Sequence, residues 1–154
     1  MIALLQRVTE AGVTVAGRET GRIGRGVLAF VGVRPEDDRT SAARLLERVL
    51  GYRLFEDTRG RMNLSLRDIQ GGLLLVPQFT LAADTDKGMR ASFATAAPPE
   101  VARELFEALV ARARTLHAAV AWGEFGAHMQ VMLVNDGPVT FWLESGRTGT
   151  PFGL

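Results

Sequence analysis

Residues 71–81 read Gly71-Gly72-Leu73-Leu74-Leu75-Val76-Pro77-Gln78-Phe79-Thr80-Leu81. Two glycines followed by four large apolar residues are typical of a strand that is buried on both faces. The run then reaches a proline and two polar residues, Gln78 and Thr80, at the carboxyl end of the strand. Polar residues at such positions often carry chemistry, and Thr80 has a hydroxyl that could act as a nucleophile. The other interpretation, an edge strand with ordinary alternation, stays open on this pattern alone.

Apolar patterns outside this segment predict further strands and two helices. A second buried strand covers 27–33, and shorter strands are expected at 2–8, 13–15 (after a turn at Ala11-Gly12), 52–55, 120–122, 129–134 and 139–143. Helical spacing predicts helices at 40–51, after a capping segment at 35–38, and at 100–117, after Pro98-Pro99. This order predicts one α+β domain, a mostly antiparallel sheet or barrel with two packed helices. We assign it to 1–144 and expect 145–154 to be a flexible tail.

The composition narrows the chemistry that the chain can perform. It has no cysteine, two histidines and a formal net charge of +1. A disulfide framework, a thiolate nucleophile and a zinc site built on sulfur are therefore excluded. The near-neutral charge also excludes a protein that coats nucleic acid over a broad surface. We interpret His117 and His128 as structural or incidental, and we expect neither metal nor cofactor.

The amino-terminal segment lacks the basic and apolar regions of a signal peptide. No apolar run approaches the roughly 20 residues that are needed to span a bilayer. We therefore expect a cytoplasmic protein that does not use a membrane.

Glycine marks two segments that we interpret as turns. Residues 17–26 alternate glycine with arginine, but their spacing matches neither phosphate-binding loop pattern, and hairpin turns explain it. The second segment is Asn135-Asp136-Gly137-Pro138, whose residue types all favour a turn. It is predicted to separate the last two strands.

Four motifs together resemble the D-aminoacyl-tRNA deacylases. They are Pro77-Gln78-Phe79-Thr80-Leu81-Ala82-Ala83-Asp84-Thr85, Lys87-Gly88-Met89-Arg90-Ala91-Ser92-Phe93, Gly123-Glu124-Phe125-Gly126-Ala127-His128-Met129 and Asn135-Asp136-Gly137-Pro138-Val139-Thr140. The opening Gln6-Arg7-Val8 and the segment 13–15 match as well. The similarity runs in order from residue 1 to about 144. Each motif alone is weak, but the ordered set is specific.

The resemblance implies a homodimer whose active site is shared across the interface. In that family the bond equivalent to Gly137-Pro138 is cis, reaches into the partner's site, and holds the substrate's amino group with its carbonyls. Arg7 matches the residue that fixes this loop. The resemblance implies catalytic roles for Gln78, Phe79 and Thr80, and substrate binding by Phe125, Met129, Lys87 and Arg90. Phe79 is otherwise expected to be a core aromatic residue, with stacking on the terminal adenine as the alternative.

The implied activity is hydrolysis of D-aminoacyl-tRNA, with glycyl-tRNA as a second substrate. The 3′ acceptor end of tRNA is the implied partner, and its own 2′-OH would assist the reaction. The sequence departs from the family where Pro77 replaces the usual serine, and where Met89 and Ala91 replace asparagine and proline. Two other functions stay open. One is a non-catalytic nucleic-acid-binding β-domain, and the other is a metal-dependent hydrolase that uses Asp84, Asp86 and His128.

Overall fold

The computed structural model describes residues 1–145. Along the chain the elements are β1 (Ile2–Val15), β2 (Arg18–Ile23), β3 (Gly26–Gly32), α1 (Arg39–Gly51), β4 (Phe55–Glu56), β5 (Met62–Leu64), α2 (Leu66–Ile69), β6 (Gly72–Pro77), a 3-10 helix (Phe79–Ala82), α3 (Pro99–Leu116), β7 (Val120–Trp122) and β8 (Met129–Glu144). No helix in this part of the chain is both long enough and apolar enough to cross a membrane.

The long strand β1 organises the main sheet. Its first half, 2–8, pairs antiparallel with β3, and its second half, 11–15, pairs antiparallel with β2. Strand β8 runs antiparallel along the other edge of β1 over both halves. The pairs β3–β6 and β6–β7 are parallel, which makes the sheet mixed. The prediction of one α+β domain with a sheet or barrel is confirmed.

The two predicted helices cover one face of this sheet. Helix α1 begins with a capping box in which Asp38 accepts from the backbone of Ser41, and α3 has Pro99 in its first turn. Each helix presents a buried apolar stripe to the sheet, and the buried residues are Ala42, Leu45, Leu46, Val49 and Leu50 of α1 and Ala102, Leu105, Phe106, Leu109, Val110 and Ala113 of α3. Burial of these stripes against β3 and β6 forms the main core.

A second, smaller core lies on the opposite face, inside the curled sheet. It contains Val8, Ala11, Val13, Ile23, Leu28, Leu74 and Val76. Strand β2 folds across β7, since a Cβ placed on Gly21 would lie 3.1 Å from the carbonyl oxygen of Trp122. The sheet therefore closes almost into a barrel, with no residue larger than glycine tolerated at this crossing without a shift.

Three expectations about the strands and helices were wrong. Ala11-Gly12 is not a turn, because β1 is continuous from Ile2 to Val15 and reverses at Ala16-Gly17, where both φ angles are positive. Residues 135–138 do not separate two strands, because they lie inside the continuous β8. The strand expected at 52–55 covers only Phe55–Glu56, and the helix α2 was not predicted.

The end of β8 is fastened to the start of the chain. Ser145 is buried, its backbone N–H donates to the carbonyl oxygen of Met1 at 2.9 Å, and the Met1 ammonium pairs with Asp37. Glu144 accepts two hydrogen bonds from Arg34, at 3.0 and 3.1 Å, and these lower the pKa of its carboxyl group. Ser145, expected to begin the tail, is thus part of the folded domain, and 146–154 lie outside the described residues.

Candidate active site

The segment after β6 leaves the sheet and turns into a short helix. Gln78 has φ −141° and ψ 81°, and its N–H donates to the carbonyl oxygen of Val31 at 2.7 Å. The 3-10 helix follows at once, so the edge-strand interpretation of this segment is wrong. No side chain within residues 1–145 caps the helix. The first N–H groups of a helix have no intrahelical acceptor, and here they belong to Phe79 and Thr80.

The side chains of this segment are held in a defined arrangement at the surface. The Gln78 side-chain amide donates to the Thr80 hydroxyl. Phe79 is 55% exposed and lies against Phe93, with ring centroids 5.1 Å apart. The expectation that Phe79 is a core residue was therefore wrong, because the chain turns outward directly after Pro77. The contact of Phe93 with Phe79 was not predicted, because an aromatic residue in a polar loop carries no periodic signal.

The loop that carries Lys87 and Arg90 closes on itself beside this helix. Asp84 and Ser92 exchange two backbone hydrogen bonds, of 2.8 and 2.9 Å, and the Thr95 hydroxyl donates to the carbonyl oxygen of Ala82. Both Lys87 and Arg90 are exposed at the tip between the paired residues. The cations therefore stand at the surface, at the tip of a loop whose base packs beside the 3-10 helix.

Arg7 is a buried arginine that joins two backbone segments. The residue is only 8% exposed. Its Nε donates to the carbonyl oxygen of Asp136 at 2.9 Å, and an NH group donates to the carbonyl oxygen of Leu54 at 2.9 Å. The Asp136 carboxylate lies 3.5 Å from the same Nε. A guanidinium with fixed, forked donors is suited to hold two carbonyls at once.

Opposite Arg7, β8 forms a wide bulge that contains Gly137-Pro138. Val8 pairs with Asn135 and Gln6 pairs with Thr140, so one residue of β1 faces 136–139 of β8. The Asn135 side chain spans the bulge, accepting from the N–H of Val139 at 2.9 Å and donating to the Thr140 hydroxyl at 3.0 Å. The peptide bond between Gly137 and Pro138 is cis, and both residues are exposed. The turn-type composition of 135–138 thus marks a braced bulge, and the bracing by Asn135 was not predicted.

The two candidate motifs lie at opposite ends of the central strands. Arg7 is level with Val27 of β3 and with Leu73 of β6. Gln78 lies five positions beyond Leu73, or about 16 Å along the strand, and the strands β1 and β3 lie between β8 and β6. Within one chain the structure therefore does not bring Gly137-Pro138 to Gln78–Thr80.

The remaining predicted residues take different positions. Met129 lies beside the end of β6, because a Cβ on Gly123 would meet both its sulfur, at 2.7 Å, and Cδ of Pro77, at 3.4 Å. Phe125 instead contacts α3, with its ring 4.9 Å from the Arg103 guanidinium carbon. His117 is buried and donates to the carbonyl oxygen of Gly71, which is a structural role.

The residues of the metal-dependent alternative are not gathered into a site. Within residues 1–145, no group of three or more histidine, aspartate or glutamate side chains is arranged to hold a metal ion. Asp84 instead accepts from the backbone N–H of Asp86 at 2.9 Å, which shapes the loop. The positions of Asp84, Asp86 and His128 therefore give no support to that alternative.

Comparison with known proteins decides the family. The sequence model of the family described as D-Tyr-tRNA(Tyr) deacylase matches residues 4–144. The chain belongs to this family. The resemblance inferred from the four motifs is thereby confirmed, and the matched range includes every predicted site residue.

Individual relatives of this deacylase-family chain agree over almost its whole length. The D-aminoacyl-tRNA deacylase of Thioalkalivibrio sulfidiphilus is 68% identical over 144 residues, which are 94% of this chain and 97% of the relative. That of Azotobacter vinelandii is 63% identical over 145 residues, covering 94% of this chain and 100% of the relative. Such identity over the full domain extends the agreement well beyond the short motifs.

Two solved structures share the fold of this family member. One, named "c-Myc DNA Unwinding Element Binding Protein", has a TM-score of 0.91 at 38% identity and covers 96% of this chain and 100% of its own. The other, "Structural Analysis of a probable eukaryotic D-amino acid tRNA deacylase", has a TM-score of 0.81 at 17% identity, with coverage of 93% and 98%. At that lower identity the second likeness concerns the fold alone.

Proposed function

We propose that this chain hydrolyses the ester bond of D-aminoacyl-tRNA, releasing the free D-amino acid and tRNA, and that it works as a cytoplasmic homodimer. Membership of the deacylase family supports the reaction. The proposed substrate, charged tRNA, supports a place in the cytoplasm. The observation that carries the proposal further is geometric: a braced, exposed Gly137-Pro138 bulge stands at the end of the sheet opposite Gln78–Thr80.

This separation supports an active site built from two chains. Gly137-Pro138 is too far along and across the sheet to serve the Gln78–Thr80 segment of its own chain, so it serves that of a second copy. A symmetric dimer makes two such sites by one interface, since each chain gives and receives the same loop.

The outer face of β8 supports this interface. One edge of β8 pairs with β1, and no other strand within residues 1–145 pairs with its second edge. The same strand exposes three large apolar side chains, Met132, Val134 and Trp142, each about half exposed. Exposed apolar groups beside an unpaired strand edge are a favourable surface for a second chain.

In the proposed site the Gly137-Pro138 carbonyls of one chain bind the α-amino group of the substrate in the other. If the amino and ester groups are fixed, inversion at the α-carbon redirects the side chain. A D side chain then points out of the site, whereas an L side chain collides with the loop backbone. A steric wall of this kind rejects more strongly than a hydrophobic pocket, which gives about 1–3 kcal/mol per methylene. Glycine has no side chain, and glycyl-tRNA is therefore a second substrate.

Catalysis on this proposal relies on the backbone. The N–H groups of Phe79 and Thr80, at the uncapped start of the 3-10 helix, stabilise the oxyanion that forms when the ester carbonyl is attacked. An aminoacyl ester is already activated, and the terminal 2′-OH of the tRNA assists the attack. The Thr80 hydroxyl, which accepts from Gln78, positions the substrate and is not an obligatory nucleophile.

Other predicted residues contact the rest of the tRNA end. Exposed Lys87 and Arg90 bind phosphates of the acceptor end, and the exposed ring of Phe79 stacks on the terminal adenine. Met129 lines the site beside Pro77, while Phe125 supports it indirectly through α3.

A second candidate function is binding of nucleic acid without catalysis. The observation that favours it is the likeness to the structure named for binding a DNA unwinding element. The deciding experiment incubates the protein with matched D- and L-tyrosyl-tRNA and follows the loss of each ester. The proposal predicts rapid loss of the D ester only. Stable esters of both kinds, together with tight binding of duplex DNA, would establish the second function instead.

A further inference from the structure

We propose that the β4–β5 hairpin of each chain binds the phosphate backbone of the tRNA whose 3′ end occupies the partner's active site. This rests on the proposed function, since it requires a Gly137-Pro138 loop that enters the neighbouring site. It adds a tRNA-binding surface, supplied by the chain opposite to the one that carries the catalytic segment.

Two exposed arginines lie at the tip of the hairpin, and two more lie beside its base. The segment 53–68 has four arginines and three carboxylates. The four arginines, all exposed, are Arg53, Arg59, Arg61 and Arg67. Clustered, exposed guanidinium groups are the side chains that bind phosphate oxygens with two donors at once.

The carboxylate at the tip does not form an ion pair with Arg59 or Arg61. Asp57 accepts hydrogen bonds from the backbone N–H groups of Arg59 and Arg61 and from the Asn63 amide, at 2.8 to 3.0 Å. These bonds lower the pKa of Asp57, led by the bond from Arg61. Within residues 1–145 the guanidinium groups of Arg59 and Arg61 form no ion pair. Asp57 therefore fixes the shape of the turn and leaves both guanidinium groups available to a ligand.

A single buried side chain couples the hairpin to the Gly137-Pro138 loop. Arg7 donates to Asp136, next to Gly137, and to Leu54, next to the first hairpin residue. Leu54 and Phe55 are fully buried, and the Leu54 N–H donates to the carbonyl oxygen of Leu64 at 3.1 Å. The base of the hairpin is thus anchored to the same guanidinium that fixes the loop, so that a loop inserted into the partner's site carries the hairpin with it.

The tip of the hairpin lies within about 16 Å of the Arg7 anchor at Leu54. The chain folds back at residues 57–61, where the Asp57 N–H donates to the carbonyl oxygen of Arg61, so Arg59 lies at most about 16 Å and Arg61 about 10 Å from Leu54. The tRNA enters the site by its single-stranded 3′ end, and the nearest charges outside the pocket are backbone phosphates. Positive groups at the rim of the pocket are therefore placed to bind them, with an affinity that falls as salt rises.

The test compares two double variants on two substrates. Arg59→Ala with Arg61→Ala removes the hairpin charges, and Arg44→Ala with Arg112→Ala removes the same charge from exposed positions of α1 and α3. For D-tyrosyl-tRNA the hairpin variant should raise KM about three- to tenfold and lower the slope of log kcat/KM against log salt by roughly 1.5. Neither value should change for 3′-D-tyrosyl-adenosine, which has no phosphates, and the control should change neither substrate.

An unchanged KM and salt slope on D-tyrosyl-tRNA would overturn the inference while leaving the proposed function intact. If the unmodified protein hydrolyses neither substrate, the proposed function is overturned instead. A heterodimer tests whether the hairpin and the catalytic segment that serve one tRNA come from different chains. One of its chains carries Phe79→Pro, which removes the proposed oxyanion donor, so that only the other chain has a working catalytic segment. KM should rise only when the hairpin substitutions are on the chain with Phe79→Pro. A rise when they share the chain with the working segment would contradict the assignment.

Discussion

The backbone N–H of Phe79 can be removed without removing a helical hydrogen bond. Phe79 is the first residue of the 3-10 helix, where proline is well tolerated, and Gln78 before it is outside the helical region that a following proline disfavours. Phe79→Pro deletes the proposed oxyanion donor together with the ring. Phe79→Ala deletes the ring alone and is the matched control.

The size of the expected effect follows from the role of the donor. One oxyanion donor contributes about 2.7–4 kcal/mol, which corresponds to a factor of about 100 to 1,000 in rate. Phe79→Pro should therefore hydrolyse D-tyrosyl-tRNA about 100 to 1,000 times more slowly than Phe79→Ala, while both variants fold. Single-turnover loss of the ester at saturating enzyme measures this step separately from product release.

The comparison with Phe79→Ala decides the interpretation. If Phe79→Pro is as active as Phe79→Ala, within about threefold, the backbone of this helix does not stabilise the oxyanion. Thermal unfolding of both variants gives the necessary control, because a misfolded protein would also lose activity.

Four further predictions concern the other parts of the proposed site and the fold. Gly137→Ala should lower D-deacylation at least tenfold, because Gly137 has φ +143° and a Cβ would lie 2.8 Å from the Val139 nitrogen, a strain of about 1–3 kcal/mol; unchanged kinetics would contradict this. Arg7→Lys keeps the charge but cannot hold both carbonyls, so a thermal melt should show a loss of about 1–3 kcal/mol. Lys87→Ala should reduce the salt dependence of tRNA binding by about one phosphate contact and leave the D/L preference unchanged. Glu144→Gln should cost about 0.5–1 kcal/mol at pH 7 in chemical unfolding, because the pair with Arg34 is partly exposed. Since Arg34 lowers the pKa of Glu144 below its ordinary 4.5, this stabilisation is present above that pH and should disappear as the pH falls through the lowered pKa.

The buried elements of the fold were predictable because their patterns are local. The apolar runs at 27–33 and 71–76 became β3 and β6, and the helical stripes gave α1 and α3 with nearly correct ends. The continuity of β1 and β8 was not predictable in the same way. Glycine, proline and asparagine normally stop a strand, but here the ladder between these two strands continues past Gly12 and around Gly137-Pro138. Long-range pairing overrides the local preference.

The candidate site was predictable in its residues but not in its arrangement. The motifs pointed to Gln78–Thr80, Gly137-Pro138 and Arg7, yet no spacing in the sequence indicates that the first two lie at opposite ends of the strands. The exposure of Phe79 and the support from Asn135 were also missed. Both depend on where the chain leaves the sheet, which is set by the packing of the whole domain.

The central proposal, one chain's Gly137-Pro138 acting in the other chain's site, can be tested by complementation. Phe79→Pro and Gly137→Ala chains, each expected to be at least tenfold less active than the unmodified protein as homodimers, are mixed after unfolding and refolded together. The hydrolysis of D-tyrosyl-tRNA is then measured. A shared site predicts that each heterodimer regains one complete site, with about half the activity of the unmodified dimer. A mixture that stays as inactive as its two components, although heterodimers have formed, would contradict the proposal.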